Sequence, residues 1–137
     1  MKLTDISSGV VLNLPNDLVW SDEFSWQSTV GEVAYSLTGA LLYEVGDKQS
    51  GRFITLQAPD DTMAWVPRST MLALKAWLQP ATRKMKLSLE YPSDTREFIV
   101  MFRHNEEALT SSPVTTFASH DTTDWFKVSL KLMEVEL

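Results

Sequence analysis

Residues 30–44 read VGEVAYSLTGALLYE. Val33, Tyr35, Leu37, Leu41 and Tyr43 are all at odd positions, and Glu32, Ser36 and Thr38 at even ones. A period of two puts successive side chains on opposite faces of a strand, so this stretch reads as a long, half-buried strand. Gly39 interrupts it, and a glycine inside a strand marks a bulge or a bend. Residues 45–51, VGDKQSG, are polar with a glycine near each end, which suits a hairpin loop. Residues 52–57, RFITLQ, then return as the partner strand.

The same period recurs further along. Met85, Leu87, Leu89 and Tyr91 alternate with Lys84, Lys86, Ser88 and Glu90. A turn at Pro92-Ser93-Asp94-Thr95 follows, and Phe98, Val100 and Phe102 line one face of the return strand, with Ile99, Met101 and Arg103 on the other. A short strand is expected at Val114–Phe117. In the final stretch Phe126, Val128, Leu130 and Leu132 face in, and Lys127, Ser129 and Lys131 face out. Near the start, Val10, Leu12 and Leu14 alternate up to Pro15, and Leu18, Trp20, Phe24 and Trp26 form a second extended run. Only Arg68 to Gln79 reads as a helix. Met71, Leu74 and Leu78 recur at three and four, Ser69 or Thr70 is available as a cap, and Pro80 stops the run. The order predicts a mainly β domain, a β-barrel or β-sandwich, with one α-helix packed on the sheet.

At 137 residues the chain fits one domain, 1–137, with enough core to fold without staples. It has no cysteine, which excludes a disulfide framework, a thiolate metal site and a cysteine nucleophile. A net charge of −6 opposes non-specific binding to nucleic acid or anionic lipid. The apolar runs fall well short of the roughly 20 residues of a membrane helix, and the first fifteen residues do not read as a secretion signal. Synthesis in the cytosol is expected.

Candidate chemistry is sparse. His120 lies in His120-Asp121-Thr122-Thr123-Asp124, where a carboxylate can orient an imidazole, but no paired metal-ligand spacing accompanies it. A solvated loop is the better reading, and His104 is a strand-end residue. No serine sits in a nucleophile elbow, and no glycine pattern makes a phosphate loop. Asp22-Glu23 and Asp60-Asp61 are carboxylate pairs, but neighbours on a strand point to opposite faces, so loop or salt-bridge roles are expected. No cofactor is expected. Of five tryptophans, Trp77 and Trp125 are assigned to the core. Trp20, Trp26 and Trp65 are left open between core and interface.

Several segments together resemble a known family: Leu14-Pro15-Asn16-Asp17-Leu18-Val19-Trp20, Asp22-Glu23-Phe24-Ser25-Trp26, Thr38-Gly39-Ala40-Leu41-Leu42, Lys48 to Leu56, Leu72 to Trp77, Val100 to His104 and Leu130 to Val135. They look like the short tail-tip proteins, or distal tail proteins, of long-tailed bacteriophages and related prophages. The resemblance implies a split-barrel, tail-tube-like fold and a non-enzymatic structural protein of the virion. Such a protein assembles with itself into a ring, commonly six-fold, between the tail tube protein and the hub or other baseplate proteins. The genome passes through the lumen without sequence-specific contact, no membrane is involved, and an acidic lumen would keep DNA from sticking. Under this reading Trp20, Trp26, Asp47, Lys48, Arg52 and Trp65 are expected at the subunit interface. Arg52 pairs there with an acidic neighbour or stands as a solvated charge at a hairpin base. Two rival readings remain: a carbohydrate-binding β-sandwich that stacks sugars on Trp20, Trp26 or Trp65, and a small hydrolase built on His120 and Asp124.

Overall fold

The computed structural model describes residues 1–114, 121 and 123–136. The protein is mainly β, with 45% of residues in strands and 8% helical. The elements in chain order are β1 (Lys2–Asp5), β2 (Val11–Asn13), β3 (Val19–Trp20), β4 (Thr29–Tyr35), β5 (Leu41–Asp47), β6 (Phe53–Gln57), β7 (Trp65–Pro67), α1 (Arg68–Trp77), β8 (Met85–Ser88), β9 (Glu97–Phe102), β10 (Leu109–Pro113) and β11 (Trp125–Glu134). His120 and residues 115–117 of the expected strand lie outside the described residues, and β10 runs just ahead of that position.

Strand β11 organises the main sheet. Leu130 pairs with Leu109 of β10 on one edge and with Leu56 of β6 on the other. Leu132 likewise lies between Phe102 of β9 and Ile54 of β6. Nearer its start, Phe126 lies between Pro113 of β10 and Val66 of β7. The sheet runs β2-β1-β8-β9-β11-β6-β3, every pairing antiparallel. It stops at β2 and β3 and is not a closed barrel, so the barrel alternative gives way to a sandwich-like arrangement.

The expected alternation is present. Phe126, Val128, Leu130 and Leu132 are buried, as are Met85, Leu87, Phe98, Val100 and Phe102. The hairpin β8–β9 has Leu87 opposite Phe98, with Tyr91 and Asp94 bridging its turn. Helix α1 buries Met71, Leu74 and Trp77 and packs on β7 and β11. Neither Ser69 nor Thr70 caps it. Pro67 stands at the N-cap without a side-chain hydrogen bond, and the Arg68 amide donates to the Asp124 carbonyl at 2.8 Å. A contact distant in sequence thus satisfies one of the orphan amides that every helix start presents.

Asp5 is the one buried carboxylate among the described residues. Burial opposes its ionisation, but hydrogen bonds from the Ser8 and Ser7 hydroxyls and the Ser7 amide, with the Arg83 guanidinium, outweigh that and hold its carboxyl below the ordinary 3.8. A carboxyl whose folded value is depressed stabilises the fold above its unfolded value and loses that contribution as pH falls through the folded one.

Two outcomes follow for urea denaturation. Leu130→Ala removes a fully buried side chain at the crossing of three strands and should cost about 2–5 kcal/mol. Asp5→Asn should destabilise the protein at pH 7 and flatten the loss of stability below about pH 4, where the wild-type carboxylate is neutralised.

Candidate functional site

The long strand expected over 30–44 is instead a hairpin. Ser36–Ala40 forms the turn. The Ser36 amide donates to the Ala40 carbonyl at 2.9 Å, the Gly39 amide donates to the Ser36 carbonyl at 2.9 Å, and the Ala40 amide donates to the Ser36 hydroxyl at 3.0 Å. Gly39 has φ 84°, a left-handed conformation that favours glycine, so it makes a reversal where a bulge was expected. Residues 45–47 of the expected loop continue β5. Arg52 and its strand pair elsewhere, with β11 and β3.

Strands β4 and β5 pair only with each other, from Thr29↔Asp47 to Tyr35↔Leu41. Every residue of both is exposed. Seven residues of strand extend roughly 23 Å, so the hairpin is an arm beside the main sheet. Residues directly opposite one another share a face. One face carries Val33, Tyr35, Leu41, Tyr43 and Val45, and the other carries Val30, Glu32, Ala34, Leu42 and Glu44. Exposure reaches 71% at Tyr35, 62% at Tyr43 and 108% at Leu37 in the turn.

Gly31 seats Tyr43. A Cβ at Gly31 would lie 3.0 Å from the Tyr43 hydroxyl oxygen and 3.1 Å from the ring, so the ring lies across the bare backbone. On the other face Glu32 stands directly opposite Glu44, and among the described residues no cation pairs with either. Like charges in a cross-strand pair are destabilising. A two-stranded ribbon is marginal in water by itself, and this one carries both an uncovered apolar face and a carboxylate repulsion.

The root of the arm, by contrast, is tightly held. The Asp22 carboxylate accepts from the Thr55 amide at 2.9 Å and from its hydroxyl at 2.8 Å. Arg52 lies 4.8 Å from the Trp20 ring centre and donates to the Glu23 carbonyl at 3.1 Å. Arg96 lies over the same indole at 5.7 Å and joins Glu23 at 2.8 Å and Asp94 at 2.7 Å. The hydrogen bonds that Arg96 donates to Asp94 and Glu23 raise its pKa further, and the pairing with Arg96 lowers that of Asp94. Behind the arm, the Lys48 amide donates to the Ser28 carbonyl at 2.7 Å and the Gly51 amide to the Glu134 carbonyl at 3.0 Å.

Of the residues expected at an interface, Trp20 is in the core at 6% exposure, edge-on to Phe98 at 5.4 Å between centroids. Arg52 is half-buried on that indole, and its guanidinium donates to the Glu23 carbonyl of its own chain. Trp26 is half-buried with the Lys48 ammonium 5.5 Å above its ring, and Asp47 ends β5, where it accepts from the Thr29 hydroxyl at 3.3 Å. These residues form and flank the root. Trp65 is on β7, its indole N–H donating to the Asp61 carbonyl at 3.1 Å. It lines a concave pocket of about 270 Å³ with Trp125, Asp17, Thr62 and Met63. Trp125 is 47% exposed, so its assignment to the core does not hold: it is the first residue of β11, where the sheet ends. Trp77 is in the core as expected.

Asp22 and Glu23 are structural anchors, and Asp61 pairs with Lys127 at 2.7 Å. His104 is exposed just past β9. No group of three His, Asp or Glu side chains is arranged to hold a metal among the described residues. Among the same residues no helix is long and apolar enough to cross a membrane.

Comparison with protein-family models, with curated proteins and with solved structures finds no significant match. The arm therefore has to be interpreted from its own chemistry. Sequence reading placed Val33, Tyr35, Leu41 and Tyr43 on one face correctly but assigned that face to a core. The Ser-Leu-Thr-Gly turn and the opposed glutamates were the available signals for a free-standing hairpin.

Asp22→Ala should release the root locally. Amide hydrogen exchange at Thr55 and through Trp26–Ser28 should speed up by roughly tenfold or more, given the strength of charge-assisted hydrogen bonds. Exchange in β8 and β9 should stay unchanged.

Proposed function

We propose that the protein is a structural ring component of a bacteriophage tail tip, which joins the tail tube to the hub by assembling with copies of itself. The observation that carries this reading is the β4–β5 arm. It displays Val33, Tyr35, Leu41, Tyr43 and Val45 to solvent on a ribbon that nothing among the described residues covers. Exposed apolar patches of this kind mark protein contacts, and a side of a standard protein interface takes about 20–30 residues, close to what the arm and its root supply. A rigid root with a free arm is what assembly requires, since the root fixes the direction in which the arm is offered. The resemblance of the chain to tail-tip proteins supplies the setting: the virion, after synthesis and assembly in the host cytoplasm. The arm supports an interaction protein of any setting, and the ring is the specific form of it.

A second reading, carbohydrate binding, has one observation in its favour. Trp65 and Trp125 line the same concave pocket as the Asp17 carboxylate, which fixes Ala64 by accepting from its amide at 3.1 Å. Ala64 has φ 61°, a strained conformation for a residue with a Cβ, and such strain collects at binding sites. Trp20 and Trp26 do not contribute a stacking platform, since one is buried and the other lies under Lys48.

Light scattering across concentration separates these readings. A ring component should reach a closed oligomer of about six chains, and the triple variant Tyr35→Ser, Leu41→Ser, Tyr43→Ser should remain monomeric with an unchanged urea midpoint. A protein that stays monomeric at millimolar concentration and whose tryptophan fluorescence shifts with oligosaccharide would overturn the ring and favour the pocket.

A further inference from the structure

The arm's glutamate-bearing face has a complementary surface on the same chain. Helix α1 and strands β10 and β11 form a groove of about 240 Å³ lined by Arg68, Met71, Leu72, Lys75, Leu109 and Phe126. That volume is below the roughly 300–1,000 Å³ of small-molecule sites, and suits side chains of a docked segment. Arg68, Leu72 and Lys75 follow one another at four and three residues, so they form a single stripe along the helix, basic, apolar, basic. Leu72 is 52% exposed. Arg68 lies 5.8 Å from the Phe126 ring centre, and among the described residues no carboxylate pairs with Arg68 or Lys75.

The arm's second face carries the opposite charge. Along it Leu42 and Ala34 come first, then the Glu32–Glu44 pair, then Val30. Its two mutually repelling carboxylates meet two cations that have no carboxylate partner among the described residues, and Leu42 meets the exposed Leu72. The basic surface at Arg83 and Lys84 does not fit. Arg83 is engaged by Asp5, and Lys84 by the Glu136 carbonyl at 2.7 Å. The groove beside β6, β10 and β11 carries Asp60 and Asp61 and would repel the arm.

The geometry points to a head-to-tail contact between copies of this chain, in which the arm of one protomer lays Leu42, Glu32 and Glu44 into the α1–β10–β11 groove of the next, against Arg68, Leu72 and Lys75. Arm and groove are different surfaces, so each copy offers one and receives the other. Such a heterologous contact closes into a ring when its rotation divides a full turn. The Val33, Tyr35, Leu41 and Tyr43 face is covered in the same assembly, so that neither face of the arm is left to water. This inference rests on the reading of the arm as an assembly surface and adds to it the identity of the receiving site.

The absence of cysteine allows a direct test on the full chain. Leu42→Cys protein is mixed with Leu72→Cys protein under mild oxidation, and light scattering is recorded in parallel. The expected result is a mixed disulfide dimer, with an assembly whose dissociation constant rises about tenfold or more in Glu32→Lys/Glu44→Lys and likewise in Arg68→Glu/Lys75→Glu. Mixing these two charge-reversed proteins should restore arm-to-groove contacts at their shared interface, and high salt should weaken assembly of the wild type. Assembly without the mixed disulfide, and indifferent to charge reversal at Arg68 and Lys75, would overturn the groove as the seat while leaving the assembly reading intact. A strict monomer under all conditions would overturn both. All substituted positions are exposed or half-buried, and circular dichroism confirms that each variant folds.

Discussion

Pairing along β11 is the constraint on which the rest of the molecule depends. Its ten residues are hydrogen-bonded on both edges, to β9 and β10 on one side and to β6 and β7 on the other. A strand shared by four neighbours fixes their mutual register, because a shift by one residue would turn Phe126, Val128, Leu130 and Leu132 out of the core. Everything that bears on function is attached to it. Helix α1 packs against it, and the Glu134 amide and carbonyl bind Arg52 and Gly51, where the chain returns from the arm.

The arm obeys the opposite physics. The main sheet is stabilised by burial on the order of 25 cal/mol for each Å² of apolar surface removed from water. The β4–β5 ribbon has hydrogen bonds along its ladder but none of that burial. Its turn, built from Ser36, Thr38 and Gly39, and the packing of Tyr43 over Gly31 hold the ribbon's shape locally. A face of branched and aromatic side chains is therefore kept ordered and uncovered at once, the state expected of a surface whose partner is another molecule. On the proposed reading, the energy absent from the isolated chain is recovered on assembly.

Between sheet and arm stands a cluster of stacked cations. Arg52 and Arg96 lie over Trp20 and Phe98, while their outer atoms reach Glu23 and Asp94. Cation–π contact and charge-assisted hydrogen bonds act together here, and both gain from partial exclusion of water. The cluster turns the polar segment after β3 into a fixed mount. The five residues expected near an interface in this region, Trp20, Trp26, Asp47, Lys48 and Arg52, are part of that mount or border it.

Alternation by itself determined the β class, the β8–β9 hairpin and the inward face of β11, because period and burial coincide wherever a strand has a core beside it, and the three-and-four spacing before Pro80 marked a helix over Arg68 to Gln79 that ends two residues earlier, at Trp77. Alternation also determined which residues of β4 and β5 share a face. What alternation does not carry is whether that face meets the protein's own core or water. A period of two is the same for a half-buried strand and for a free ribbon awaiting a partner. Only the tertiary pairing decided it: β6 takes its place beside β11 and β3, and the reversal at Gly39 leaves β4 and β5 to pair with each other. The same holds for the arginine stack, the cap on α1 and the groove beside it. Each joins residues far apart in the chain, and spatial proximity of that kind leaves no periodic trace in a sequence.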